Sequence, residues 1–228
     1  MKNIFFIPVR KNSKEVPGKN MKKLNGVPLI SYVINAIIHS GVKGEIWVAT
    51  DWRKLSNYIH RTYDNKVTVY HRDPKNAQDT SPTIDVVLEF LSKHRFDKND
   101  NFILLQATSP FTSSQEIQKL NNVLLSRQYD SIISCCRLKR FRWNEDGTSL
   151  DYDLIHKPRR QEYKGFLIES GSFYVSKVGR IVETKQLVSG KIHPFEVSSD
   201  AFIEIDSLVD WKIAEVVLKH RKSNGLLH

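Results

Sequence analysis

The densest group of chemistry-bearing residues is Arg10-Lys-Asn-Ser-Lys-Glu-Val-Pro-Gly-Lys-Asn20. Arg10, Lys11, Lys14 and Lys19 place four cations within ten residues, a density better suited to a polyphosphate than to a lone carboxylate. The stretch follows the apolar run Ile4-Phe-Phe-Ile-Pro-Val9 and precedes an amphipathic segment opened by Pro28. A strand, a basic Gly/Pro-containing loop and a helix make a recipe for a phosphate site, because loop N–H groups converge on an anion and a helix N-terminus adds positive potential. The competing reading is a solvated basic surface loop.

Other polar groups sit at the ends of expected strands: Thr50 and Asp51, Gln106-Ala-Thr-Ser-Pro110, and Asp206. Asp79-Thr-Ser-Pro-Thr83 precedes a helix at the same edge. The set lacks a Ser/His/Asp order and a cysteine nucleophile, and so favours transfer at phosphorus, where positioning and charge neutralisation dominate. Glu204 and Asp206 alternate on an expected strand, which puts both carboxylates on one face as oxygen donors for Mg²⁺. Pairing of Glu204 with a lysine is the plainer alternative, and a glutamine placed like Gln106 at a strand end more often satisfies backbone than contacts a ligand.

The elements that must carry these residues follow from periodicity. Apolar runs at Ile4–Val9, Glu45–Thr50, Lys66–Tyr70, Phe102–Gln106 and Ser131–Cys136 read as strands. Between them lie helical patterns: one ended by Gly41, one reaching Tyr63, one with Ser81-Pro82 as its N-cap, and one opened by the capping-box pair Ser113 and Glu116. Repeated β-α units argue an α/β, doubly wound, mainly parallel sheet, Rossmann-like in plan. Gly171–Val175 and Ala201–Asp206 read as further strands, and Ser207 with Asp210 caps a last helix. Residues 138–164 are polar and aromatic, with an Asp146-Gly147 turn, and form an excursion inserted into a domain of 1–137 and 165–228. Trp47 and Trp211 fit core faces, whereas Trp143 lies in the excursion and marks a candidate interface.

A chain of 228 residues, 40% hydrophobic and 26% charged, has the composition of a folded domain rather than a disordered one. No run of about 18 apolar residues is present, so no membrane partner is expected. Ile4–Val9 is too short for a signal peptide's apolar region, and Cys135 and Cys136 read as buried strand residues, so the expected compartment is the cytoplasm. The net charge of +10 calls for an anionic partner; charge alone leaves nucleic acid and a phosphorylated or carboxylated small molecule equally open.

The Arg10–Asn20 block resembles the N-terminal signature of the CMP-sugar synthetases, the acylneuraminate cytidylyltransferases of nucleotide-diphospho-sugar transferase fold. Arg72 with Asp79-Thr80, Leu104-Leu-Gln-Ala-Thr-Ser-Pro110, Gly171-Ser-Phe-Tyr-Val175 and Glu204-Ile-Asp206 continue the resemblance over nearly the whole chain. It implies that Arg10, Lys14 and Lys19 hold the CTP triphosphate with Ser13 and Asn20, that Arg72 and Thr83 contact the nucleoside, and that Gln106 contacts the sugar acid. It places Mg²⁺ on Asp206 with Glu204 as companion. It also implies that the 138–164 excursion is a dimerisation arm whose Arg159 and Arg160 bind the sugar carboxylate in a partner's site. The expected reaction joins CTP to an acidic 2-keto sugar of sialic type in a homodimer, without nucleic acid. Legionaminic, pseudaminic or 3-deoxy-octulosonic acids are alternative acceptors. The rivals are a nucleotide-binding homologue without activity and, on charge alone, a nucleic-acid module. Ala107, Thr112 and Ser170 depart from the family's usual Pro, Arg and Asn.

Overall fold

The computed structural model describes residues 1–12, 15–78 and 80–223. After β1 (Asn3–Val9) come β2 (Lys23–Leu24), β3 (Val27–Pro28), α1 (Leu29–Ser40), β4 (Glu45–Thr50), α2 (Arg53–Tyr63), β5 (Thr68–His71) and α3 (Thr83–Lys93). Next are β6 (Asn101–Leu105), α4 (Ser114–Ser126), β7 (Ser131–Leu138), β8 (Phe166–Lys177), α5 (Val178–Thr184), β9 (Ile192–Glu196) and α6 (Leu208–Ser223). Among the described residues the main sheet has seven strands in the order β5-β4-β1-β6-β8-β7-β9. β8 pairs antiparallel with β6 and β7, and every other pairing is parallel, so β8 alone opposes the rest.

The continuous apolar run of β1 has a physical cause: both faces of the sheet are covered. Phe5, Ile7 and Val9 enter a core with α1, α2 and α4, while Ile4 and Phe6 enter a second core with α3 and α5. Fully burying side chains of this size is worth about 1.5–3 kcal/mol each, which fixes β1 at the centre of the sheet. A third cluster joins Val16 of the basic loop, Leu29 of α1, Phe111, Ile205 and Trp211 of α6.

Local signals behave as their chemistry dictates. Gly41, at φ 66°, closes α1 in the left-handed conformation. Ser113 and Glu116 make a reciprocal capping box on α4, and the Glu116 carboxylate also accepts from Ser198 N at 2.7 Å. Ser207 and Asp210 cap α6 in the same reciprocal way.

Several expectations need correction. Residues 201–206 are not a strand: Ser199–Phe202 is a 3-10 turn and the chain to Asp206 is irregular. The alternation argument for Glu204 and Asp206 therefore fails. Ser81 does not cap α3; Pro82 is the N-cap, and the Ser81 hydroxyl donates to Lys75 O at 2.8 Å. Lys66 belongs to a 3-10 turn, and β5 starts only at Thr68. The basic loop does not feed α1 directly, because the β2–β3 ribbon intervenes, turning at Asn25 and Gly26 with φ of 47° and 89°. α5 and β9 are elements beyond those read from periodicity. Residues 139–165 connect β7 to β8 and contain one isolated bridge, Trp143 with Ser149. Both cysteines are buried and free.

Replacing Glu116 with alanine removes the box and leaves the Ser198 N–H without its acceptor. The expected loss is about 2 kcal/mol of unfolding free energy, read as a lower denaturant midpoint with unchanged slope.

Candidate functional site

The carboxyl ends of β1, β4, β5 and β6 share one edge, since Val9 registers with Thr50, Thr50 with His71, and Phe6 with Leu104. Open parallel sheets bind ligands at this edge. Arg10, Asp51, Arg72 and Gln106 each follow one of these strands. A cleft there is lined on one side by Arg10, Lys19 and Asn20, and on another by Arg72, Gln78 and Thr83. Gln106, Ala107 and Thr108, which follow β6, line it as well, together with Glu204 and Asp206.

The basic wall is held from below by apolar anchoring. Val16 is sunk into the third cluster, and Gly18 turns in the left-handed region at φ 65°. Lys19 is only 9% exposed, and its ammonium donates to Ile205 O at 2.7 Å and to Asp206 Oδ1 at 2.9 Å. The N–H groups of Lys19, Met21 and Lys22 are committed within this turn, and that of Lys11 is bound by Asp51 Oδ1 at 2.8 Å. Those four N–H groups are therefore already engaged, and Arg10, Lys19 and Asn20 line the cleft. Arg10 donates to Gln78 O at 3.3 Å, tying this wall to the next.

Arg72 is 8% exposed, and its Nε has no hydrogen-bond partner. Burial lowers its pKa, and the charges of Asp51 and Glu89 oppose that loss. The Oδ1 of Asn20 is also buried and unpartnered. Orphaned buried polar atoms are costly, and two of them lining one cleft mark positions that a polar ligand would satisfy.

On the acidic side, Glu204 accepts from the Thr108 hydroxyl at 2.9 Å. Burial raises its pKa, the Thr108 bond acts against that, and the Asp206 charge adds to it. Gly171, at φ 70°, leaves room for this carboxylate: a Cβ there would lie 2.8 Å from Glu204 Oε2. The Asp206 side chain is 70% exposed. Among the described residues no group of three or more His, Cys, Asp or Glu converges as a metal site. A half-buried and an exposed carboxylate lining one cleft still fit Mg²⁺, which takes one or two protein carboxylates and completes its shell with water and phosphate oxygens.

Of the residues read from sequence, the cleft gathers Arg10, Lys19, Asn20, Arg72, Thr83, Gln106, Glu204 and Asp206. Ser13 and Lys14 lie outside the described residues. Arg159 and Arg160 do not line the cleft; the Arg160 guanidinium donates to Lys139 O at 3.0 Å. Thr112 and Ser170 turn inward, to Ser109 O and Ser172 Oγ, so only Ala107 among the three departures touches the cleft. Gln78, Ser81 and Thr108 are lining residues without an assigned part in the sequence reading. Thr108 stood within a quoted block, whereas nothing in the sequence marked Gln78.

Comparison with known proteins agrees with this geometry. Residues 4–164 match the family described as cytidylyltransferase. N-acylneuraminate cytidylyltransferase A of Danio rerio is 34% identical over 217 residues, covering 92% of this chain and 49% of that protein. The chain thus spans about half the length of the first curated relatives it matches. CMP-N,N'-diacetyllegionaminic acid synthase of Legionella pneumophila is 31% identical over 96% of this chain and 97% of its own length. A solved CMP:2-keto-3-deoxy-manno-octonic acid synthetase complexed with CTP superposes with a TM-score of 0.70 at 18% identity, covering 97% of this chain and all of its own, a likeness of fold. On the match over 4–164 and relatives above 30% identity across almost the full chain, the protein belongs to the cytidylyltransferase family.

Proposed function

We propose that the chain is a cytidylyltransferase that joins CTP to a sialic-type 2-keto sugar acid, N-acetylneuraminate first among them, releasing pyrophosphate. The observation that carries this reading is the gathering, in one cleft, of the cations Arg10, Lys19 and Arg72, of residues with orphaned polar atoms and of the carboxylates Glu204 and Asp206. The orphaned Nε of Arg72, with Thr83 beside it, suits a nucleoside with polar edges, and Asn20 assists at the phosphates. Arg10 and Lys19 face the phosphates, a role that Ser13 and Lys14 of the same sequence block share in this proposal. Gln106 takes the acceptor.

In the reaction the acceptor's anomeric oxygen forms a bond to the α-phosphorus as the bond to the pyrophosphate oxygen breaks, and the hydroxyl proton leaves to solvent. Arg10 and Lys19 neutralise the charge that grows on the departing phosphates. Asp206 and Glu204 would hold Mg²⁺, which when bound supplies positive charge to phosphate oxygens. Lys19, bonded to Ile205 O and Asp206, keeps the carboxylate aligned with the basic wall.

The segment 138–164 serves as the dimer arm in this proposal. It displays Trp143, Leu150, Leu154 and Ile155 to solvent, four large apolar side chains that a second copy would cover. Arg159 and Arg160, outside their own cleft, would then bind the acceptor carboxylate in the partner's, where a guanidinium fork matches a carboxylate. No helix of the described residues is long and apolar enough to cross a membrane, and two free buried cysteines fit a cytoplasmic setting. A second reading, legionaminic acid as acceptor, is favoured by the end-to-end length match to the Legionella synthase.

Pure protein with CTP and Mg²⁺ should release pyrophosphate with a nonulosonic acid and not without one; silence across a panel of such acids would sink the proposal, and mass spectrometry under competition ranks the acceptors. Asp206→Ala should lower turnover by at least about a hundredfold with the melting temperature retained, and activity near that of the parent would remove Asp206 from the metal. Gly171→Ala should displace Glu204 and strain the backbone by about 1–2 kcal/mol, seen as reduced stability together with reduced pyrophosphate release.

A further inference from the structure

The carboxylate with the most hydrogen-bond donors near the cleft does not line it. Glu89 lies on α3 with its side chain only 8% exposed. It accepts from Tyr70 Oη at 2.5 Å, Asp73 N at 2.9 Å, Asn76 Nδ2 at 2.6 Å and Lys93 Nζ at 2.8 Å. Two of these donors belong to the connection between β5 and α3, one to the end of β5 and one to α3 itself.

That connection carries Arg72, Gln78 and Ser81 to the cleft. Within it, Asp73 Oδ1 accepts from Lys75 N, and Ser81 donates to Lys75 O. Its two ends are tied to the domain by Arg72 N on Thr50 O and by Arg10 on Gln78 O, and the stretch between them, at Asp73 and Asn76, is tied by Glu89. Burial works to raise the pKa of Glu89, yet the bonds from Lys93, Tyr70, Asn76 and Asp73 N lower it to about 2 from 4.5. The group is thus a carboxylate at any working pH, and its charge helps to keep the buried Arg72 guanidinium protonated.

We propose that Glu89 is a positioning residue for the nucleotide: it braces the segment from Arg72 to Gln78 and holds Arg72 in the conformation that CTP meets. This inference rests on the cytidylyltransferase reading. A turn set before binding costs no ordering when the ligand arrives, so the effect belongs to nucleotide affinity rather than to the chemical step.

The test compares Glu89→Gln, which preserves shape, with Leu88→Ala, a partly buried neighbour on α3 that packs against the second core and does not line the cleft. Glu89→Gln should raise the KM for CTP about tenfold, with kcat within about twofold and the acceptor KM unchanged. Amide hydrogen exchange across residues 73–78 should quicken in Glu89→Gln and not in Leu88→Ala. An unchanged KM for CTP in Glu89→Gln, or an equal rise in Leu88→Ala, overturns the proposal. If the parent protein neither binds nor consumes CTP, the functional reading fails and the nucleotide role of Glu89 with it; the exchange comparison still decides whether Glu89 braces the turn.

Discussion

The cleft depends on an apolar constraint rather than a polar one. Val16 and Ile205 stand near opposite ends of the chain, and both are buried in the cluster that Leu29, Phe111 and Trp211 complete. Each brings its neighbours with it: Val16 brings Lys19 and Asn20, and Ile205 brings Glu204 and Asp206. The Lys19 ammonium then closes on Ile205 O and Asp206. An ion pair with so exposed a carboxylate contributes little by itself. Burial of the apolar residues does the holding, and the ion pair sets the final direction of the charges.

The same economy governs Arg72. Moving a guanidinium out of water is unfavourable, and this one keeps an Nε without a partner. The structure tolerates it because Asp51 and Glu89 hold negative charge nearby and because the Arg72 N–H is anchored to Thr50 O at the sheet edge. A site that carries unsatisfied donors and acceptors before its ligand arrives has less reorganisation to undergo when it does.

Much of the fold was legible because covered sheets leave a plain trace. β1, β4 and β6 are unbroken apolar runs, and α1 and α4 carry their stop and start signals in Gly41 and in Ser113 with Glu116. β9 was not legible: Ile192, Pro194 and Glu196 are at least partly exposed on an edge strand and give no apolar run. Glu204 and Asp206 were found for a mistaken reason, since apolar alternation in Ala201–Asp206 imitates a strand where a 3-10 turn and the burial of Ile205 set the directions. The cleft's chemistry was legible where residue types are unusual for their place, as with the cations of Arg10–Asn20. It was not legible where an ordinary residue acts through position: Glu89 reads in sequence as one more helical glutamate.

Lys19 and Asp206 are 187 positions apart, and Thr108 and Glu204 are 96 apart. Contacts of such separation close large loops, so they form late, once the intervening sheet exists to bring the ends together. No fragment that lacks α6 and the turn before it contains a complete cleft. Whatever binds the assembled cleft and not the unfolded chain shifts the whole folding equilibrium by mass action. Ligand occupancy therefore reports on the integrity of the entire domain, first strand to last helix, and not merely on the loop that first drew notice.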